Sequence, residues 1–154
     1  MNRWSEARRQ TVGFTLFELL IAMLIFVTAV ATLVAAQDGC MTLAESARNM
    51  TSAVNGARLM TEQVRSTPFA NVAALNNQTF TLPGWLVEHK GNVRVITTDP
   101  TLLSVYVSVT WRQKNGRVYG EDRNLNGVLD AGEDQNGNGR LDSPASFATL
   151  RADM

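Results

Sequence analysis

A run of residues with side-chain oxygens at a regular spacing lies near the C-terminus. Counted from its first aspartate, the run places an oxygen donor at positions one, three, five, seven, nine and twelve, and a glycine at position six. These residues are Asp122, Asn124, Asn126, Val128 (through its carbonyl), Asp130 and Glu133, with Gly127 at the turn. Ca²⁺ takes about six to eight hard oxygen ligands, which such a loop supplies. The spacing therefore predicts a calcium ion bound within residues 122–133.

The pattern matches the twelve-residue loop of an EF-hand, and it begins again at residue 134. The predicted ligands of this second loop are Asp134, Asn136, Asn138, Arg140 and Asp142, with Gly139 at the turn. Position twelve is Ala145, so the closing acid is missing. The second loop either borrows a ligand from the first, with Glu133 and Asp130 as candidates, or holds its ion weakly. Tandem loops of this kind resemble the calcium repeats of extracellular bacterial proteins.

The alternative to calcium binding is a solvated acidic loop rich in asparagine and glycine. Residues 121–142 would then form a long segment without regular structure, which is uncommon in a compact domain unless the segment is functional or disordered. The segment holds six acids against Arg123 and Arg140, so its carboxylates repel one another unless a cation is bound. Strands rather than helices are predicted on either side, so we expect a structural calcium and not a calcium-gated opening.

Net charge and the scarcity of cysteine and histidine limit the classes of protein. The chain has 14 basic and 14 acidic residues, which gives no electrostatic basis for nucleic-acid binding. Cys40 is the only cysteine, so no disulfide can form within the chain, and calcium would hold the C-terminal region instead. His89 is the only histidine, so neither a zinc cluster nor a nucleophilic triad is indicated. We therefore expect a protein that is not an enzyme.

An apolar segment over residues 14–36 is interrupted by a single acid, Glu18. As a helix it would be roughly 34 Å long at about 1.5 Å per residue, enough to cross a bilayer core of about 30 Å. A charge within such a span costs about 2.5–3.5 kcal/mol, so Glu18 marks a functional site by default. The arginines in front of the span predict that the N-terminus stays in the cytoplasm and that the chain after residue 36 lies across the membrane.

The start of this span resembles the processing site of type IV prepilins and of the pseudopilins of type II secretion. In that family a basic leader ends in glycine, phenylalanine follows, and glutamate is the fifth mature residue. Gly13, Phe14 and Glu18 stand in this register, and the resemblance covers about residues 13–68. It implies that a prepilin peptidase cleaves between Gly13 and Phe14 and methylates the new amine of Phe14.

The resemblance also implies that Glu18 pairs with the Phe14 amine of a neighbouring subunit as each helix joins a filament. A cationic amine at matching depth would relieve the cost of a carboxylate in a low-dielectric bundle. The implied partners are the peptidase, other pilins or pseudopilins, the inner-membrane assembly platform and membrane lipid. The implied product is a minor pseudopilin or minor pilin, anchored in the inner membrane with a periplasmic domain, in a type II secretion pseudopilus or a type IV pilus.

Other N-terminal segments share part of this pattern. A secretory signal peptide could be cut after Ala31, but the apolar run is too long and holds Glu18 near its start. A plain signal anchor explains the length but not the joint occurrence of Gly13, Phe14 and Glu18. A lipoprotein site at Cys40 would need a leucine three residues earlier. A membrane-anchored calcium-binding module that does not polymerise is the alternative function.

The expected fold is α+β and pilin-like, with a long helix over about residues 14–66 packed on a small antiparallel sheet. The expected domains are a leader (1–13), a transmembrane half-helix (14–36), an amphipathic half-helix (37–67) and a β domain (68–154) that contains the calcium loops. The second half-helix carries an apolar stripe: Leu43, Ala47, Met50, Val54, Ala57, Thr61 and Val64. Gly39 and Gly56 are expected weak points of the helix. A loop is predicted over 69–78, and strands over 79–82, 85–88, 92–98, 103–110, 117–120 and 146–151.

Overall fold

The computed structural model describes residues 13–153, so the expected leader lies outside the described residues except for Gly13. A long helix, α1, is followed by a short helix, a 3₁₀ turn and five strands. The elements are α1 (Leu16–Ser66), α2 (Phe69–Val72), the 3₁₀ turn (Ala73–Leu75), β1 (Gln78–Phe80), β2 (His89–Asp99), β3 (Leu102–Arg112), β4 (Val118–Tyr119) and β5 (Ala145–Ala152). The expected α+β class, with one long N-terminal helix and a small antiparallel sheet, is confirmed.

The chain divides into two compact units, Met1–Leu43 and Ala44–Met154. The described part of the first unit is dominated by the N-terminal stretch of α1, whose side chains are exposed throughout. Thr15 begins the helix, because its hydroxyl oxygen accepts a hydrogen bond from the Glu18 N–H at 3.2 Å. Among residues 13–153, α1 is the one helix that is long and apolar enough to cross a membrane.

The centre of the sheet in the second unit is β3. It pairs antiparallel with β2 along one edge, and with β4 and β5 along the other edge. Successive strand residues point to opposite faces, and every second residue of β3 is buried: Leu103, Val105, Val107, Val109 and Trp111. The alternation that predicted a strand over 103–110 is thus confirmed, and the predicted strands around 92–98 and 146–151 are also present.

The core of this unit forms where the C-terminal part of α1 packs on one face of the sheet. Ala53, Ala57 and Val64 lie there with the buried valines of β2 and β3. The predicted stripe is only partly right, because Leu43 and Ala47 are exposed. Small residues let a helix approach a sheet closely, so the contact face favours small side chains over the largest apolar ones.

Gly56 was expected to weaken α1, but it is a point of close packing. A Cβ atom at this position would overlap the side chain of Leu82 from the loop after β1. The buried face of α1 also includes Asn49, a polar residue that the hydrophobic pattern missed. Gly56 therefore contributes to packing between the helix and this loop.

Two further predictions were wrong in detail. The predicted loop over 69–78 contains α2 and the 3₁₀ turn in residues 69–75, and β1 begins at Gln78. Residues 85–88 lie outside any strand. His89, at the start of β2, holds the segment before it. Its Nε2 atom accepts a hydrogen bond from the Leu82 N–H (2.7 Å), and its Nδ1 atom donates one to the Val87 carbonyl (2.6 Å). Side-chain bonds thus take the place of a strand ladder here.

Candidate metal centre

The two acidic loops occupy the connection between β4 and β5, two strands that share one edge of β3. They lie against the face of the sheet opposite α1. The side-chain amide of Asn92 donates to the Gly127 carbonyl at 2.7 Å, and the Arg140 guanidinium lies 4.0 Å from the ring centroid of Tyr106. Both sheet residues alternate with the buried valines of β2 and β3. The loops are therefore fixed to a rigid surface and not suspended in solvent.

In the first loop, the predicted ligands converge. Asp122 accepts hydrogen bonds from the N–H groups of Asn126 (3.1 Å) and Gly127 (2.8 Å). The side-chain amides of Asn124 and Asn126 both donate to one oxygen of Asp130, at 2.7 and 2.8 Å. Glu133 accepts from the Arg123 N–H, at 2.8 Å, and from the Asp130 N–H, at 3.1 Å. The side chains predicted at positions one, three, five, nine and twelve are all joined in this network, whereas Val128 would contribute its main chain.

The second loop repeats these contacts. Asp134 accepts from the N–H groups of Asn138 (3.0 Å) and Gly139 (2.9 Å). Asn136 and Asn138 both donate to one oxygen of Asp142, at 2.8 and 2.6 Å. Residues 122–130 and 134–142 therefore share one local structure, as their sequences suggest.

Arg140 differs from the other predicted ligands of the second loop. Its guanidinium donates to Asp142 at 3.0 Å and lies over the ring of Tyr106. A guanidinium carries only donors, so it cannot bind a cation. Only the main-chain carbonyl of Arg140 is suited to that task.

Glu121 is the residue of this region that the sequence analysis missed. Its carboxylate accepts hydrogen bonds from the N–H groups of Gln135 (3.1 Å) and Asp142 (2.9 Å), both in the second loop. The candidates expected to complete that loop were Glu133 and Asp130, but their hydrogen bonds lie within the first loop. A signal was available, since the dipeptide Glu-Asp occurs twice, at 121 and 133, one loop length apart.

Several acids of the loops are buried without a cationic partner. Asp122, Glu133 and Glu121 are 1%, 5% and 8% exposed, and none of them pairs with a lysine or arginine of the described residues. Burial raises the pKa of Asp122 against the opposing effect of its backbone hydrogen bonds. The pKa of Asp130 is lowered by the amides of Asn124 and Asn126, which stabilise its charged form.

The donor set of each loop consists of carboxylate, amide and carbonyl oxygens. Such hard donors suit Ca²⁺ or Mg²⁺, whereas zinc and copper favour imidazole or thiolate. Within residues 13–153 no three His, Cys, Asp or Glu side chains are grouped as a metal cluster. In each loop the side-chain amides of two asparagines stabilise the charged acid at position nine, a task that a bound cation would share. The residues thus fit a hard cation by the chemistry of their donors.

The second predicted site lies at the start of α1. Gly13 and Phe14 precede the first helical residue and are exposed, as is Glu18. No hydrogen bond or ion pair engages the Glu18 carboxylate among residues 13–153, since only its main-chain N–H bonds to Thr15. The carboxylate is therefore exposed and makes no polar contact within the part of the chain that the structure describes.

Gly120 connects β4 to the first acidic loop, and its replacement by alanine should destabilise the domain. Its φ of +127° is strained for other residues, and a Cβ would overlap the side chain of Thr110. We expect Gly120→Ala to lower the free energy of unfolding by about 2–4 kcal/mol. Gly116→Ala is the matched control, because φ is +81° there but the space is open, and about 1–2 kcal/mol is expected. Equal losses in chemical denaturation would show that the Thr110 contact contributes nothing.

Comparisons with protein-family models, curated proteins and solved structures give no match to this chain.

Proposed function

We propose that this chain is a filament subunit, a minor pseudopilin or minor pilin that is anchored in the inner membrane. The observation that carries the proposal is the position of Glu18. It is the only acid in an apolar helical segment long enough to cross a membrane, and it lies five residues after Gly13. An ordinary anchor gains nothing from a carboxylate at that depth, whereas an assembling helix can use it for specific pairing.

In the proposed mechanism a prepilin peptidase cleaves the peptide bond between Gly13 and Phe14 and methylates the new amine. The Glu18 carboxylate of one subunit then pairs with the Phe14 amine of its neighbour in the growing filament. The pair forms only when the two helices have the right axial offset, so it selects the register of assembly. The exposed apolar residues around Glu18 would contact lipid before assembly and other subunits afterwards.

The C-terminal domain would lie in the periplasm and then on the filament. The proposal assigns it a calcium ion in each loop, held by the oxygens of residues 122–133 and 134–142. The support is the hard donor set and the burial of three acids that have no cationic partner among the described residues. Calcium would hold the connection between β4 and β5, a task that a disulfide could not perform in a chain with one cysteine.

The experiment that tests the filament proposal is intact mass analysis with N-terminal sequencing of the protein from its native membranes. We expect a chain that begins at Phe14 and carries one added methyl group. A chain that begins at Met1 would be an unprocessed anchor, and a start after Ala31 or Ala36 would be a freely secreted domain. Either of these results would contradict the proposal.

Deletion of the gene then separates the two filament types. Loss of enzyme secretion with normal twitching and transformation would assign the subunit to a secretion pseudopilus. The opposite result would assign it to a surface pilus. A deletion strain unaffected in all three properties would favour an anchored calcium-binding module that does not polymerise.

A further inference from the structure

Glu133 encloses the first loop through three hydrogen bonds. Its N–H donates to the carbonyl of Asp130, at position nine, at 3.1 Å. One carboxylate oxygen accepts from the N–H at position two (Arg123) and the other from the N–H at position nine. Glu133 is itself position twelve, where an EF-hand loop places its bidentate acid.

Glu121 makes the same three hydrogen bonds to the second loop. Its N–H donates to the carbonyl of Asp142, which is position nine of that loop, at 2.8 Å. Its two carboxylate oxygens accept from the N–H groups of Gln135, at position two, and of Asp142. Every contact of Glu133 thus has its counterpart in Glu121, although Glu121 comes before both loops in the sequence.

Ala145, which is position twelve of the second loop in the sequence, cannot do for that loop what Glu133 does for the first. Ala145 is 1% exposed, belongs to β5 and pairs with Val109 in the core-facing row of β3. A carboxylate there would enter the hydrophobic core and not the loop. The structure therefore places the acid equivalent to Glu133 at the other end of the segment.

Burial and charge support a cationic ligand independently of the hydrogen bonds. Glu121 and Glu133 are both more than nine-tenths buried, and neither forms an ion pair with a described residue. Buried carboxylates are rarely left without a countercharge or a metal. Glu121 and Glu133 occupy matching positions, and each is a buried carboxylate without an ion-pair partner among the described residues. This points to two cations in equivalent sites.

We propose that Glu121 is the closing calcium ligand of the second loop, so that residues 121–142 bind two calcium ions in mutually dependent loops. Each of the two glutamates immediately precedes one loop and closes the other. Ordering of either loop then positions the glutamate that the other needs, and binding of the two ions should be coupled. This inference rests on the calcium part of the proposed function and is independent of filament assembly.

The test is a titration of the full chain in detergent with calcium alone. Calorimetry measures the affinities, and native mass spectrometry counts the bound ions. We expect the wild type to bind two ions cooperatively. In Glu121→Gln the second site should weaken by about 10–100-fold, and the remaining ion should bind less tightly than in the wild type because the two sites are coupled. Asp134→Asn should cause the same loss, and the double variant should lose little more because both act on one site. Glu62→Gln, an exposed acid of α1, is the control and should bind like the wild type.

The outcomes separate this inference from the calcium proposal itself. A wild type that binds no calcium would contradict the proposed calcium sites and with them the role of Glu121. A wild type that binds one ion, or a Glu121→Gln variant that binds two with unchanged affinity, would overturn the inference alone. Should Glu121→Gln fail to fold, Glu121→Asp takes its place: the shorter carboxylate should also weaken the second site, and two ions bound with unchanged affinity would overturn the inference.

Discussion

The variant Glu18→Ala is expected to be cleaved after Gly13 like the wild type but to be excluded from filaments. Removal of the carboxylate leaves the Phe14 amine of the neighbouring subunit without its partner in an apolar bundle. A charge at membrane depth costs enough to shift an equilibrium by about two orders of magnitude, so incorporation should fall to roughly a hundredth. The amount of the subunit in sheared filaments, relative to membranes, is the quantity to measure.

Two control variants make this result specific. Glu62→Ala removes an exposed acid from the same helix, where it pairs with Arg65 at 3.2 Å, and should leave incorporation unchanged. Glu18→Asp keeps the charge on a shorter side chain and should recover part of the incorporation. Normal incorporation of Glu18→Ala would show that our account of Glu18 is wrong and would favour an anchor that does not polymerise.

Much of the fold can be predicted from the sequence, because residues close together in the chain specify the strands, the turns and the long helix. The alternation of valines with polar residues over 103–110 predicts a strand with one apolar face, and this strand is the centre of the sheet. Asn115-Gly116 predicts the turn between β3 and β4, and the Gly116 N–H bonds to the Gln113 carbonyl at 2.8 Å. The long apolar run and Pro68 define α1 closely, at residues 16–66.

The predictions fail where contacts between distant parts of the chain determine the local structure. The apolar stripe of α1 follows from spacings of three and four residues, and its last members (Ala57, Thr61 and Val64) are buried. The buried face also includes Asn49, Ala53 and Gly56, which this spacing leaves out. Residues 85–88 have the composition of a strand, yet the ring of Trp85 packs against that of His89, with ring centroids 4.5 Å apart and the planes tilted by 31°. Neither the distance between a helix and a sheet nor the choice of a stacking partner is encoded in periodicity.

The candidate site shows the same limit. Counting along the chain is enough to propose the first loop, because all its predicted ligands lie within twelve consecutive residues. The same counting fails for the second loop, since Glu121 reaches it from 14 and 21 residues away through the N–H groups of Gln135 and Asp142. A sequence motif identifies only the ligands that lie within its own span. If each loop receives a ligand from outside that span, as proposed for Glu121, the motif misses it.

Removal of calcium is expected to destabilise the C-terminal domain strongly. A ligand present at a hundred times its dissociation constant stabilises the folded state by about 2.7 kcal/mol, and two coupled sites should give at least that. For a domain of this size, each kcal/mol shifts the melting temperature by about 4 °C, so a chelator should lower Tm by about 10 °C or more. Thermal unfolding of the full chain, followed by circular dichroism with calcium and with chelator, measures this directly.

The structure also predicts where the loss of calcium acts first. The loops join β4 to β5, so hydrogen exchange should accelerate in residues 118–119 and 145–152 before it does so in β2. Asp122→Asn should lower Tm in calcium and reduce the further effect of the chelator, because the variant has already weakened the first site. Glu62→Gln should respond to the chelator like the wild type. If calcium and chelator give the same Tm for the wild type, the segment is a self-supporting acidic loop, in which the asparagine amides and backbone N–H groups alone stabilise the buried carboxylates.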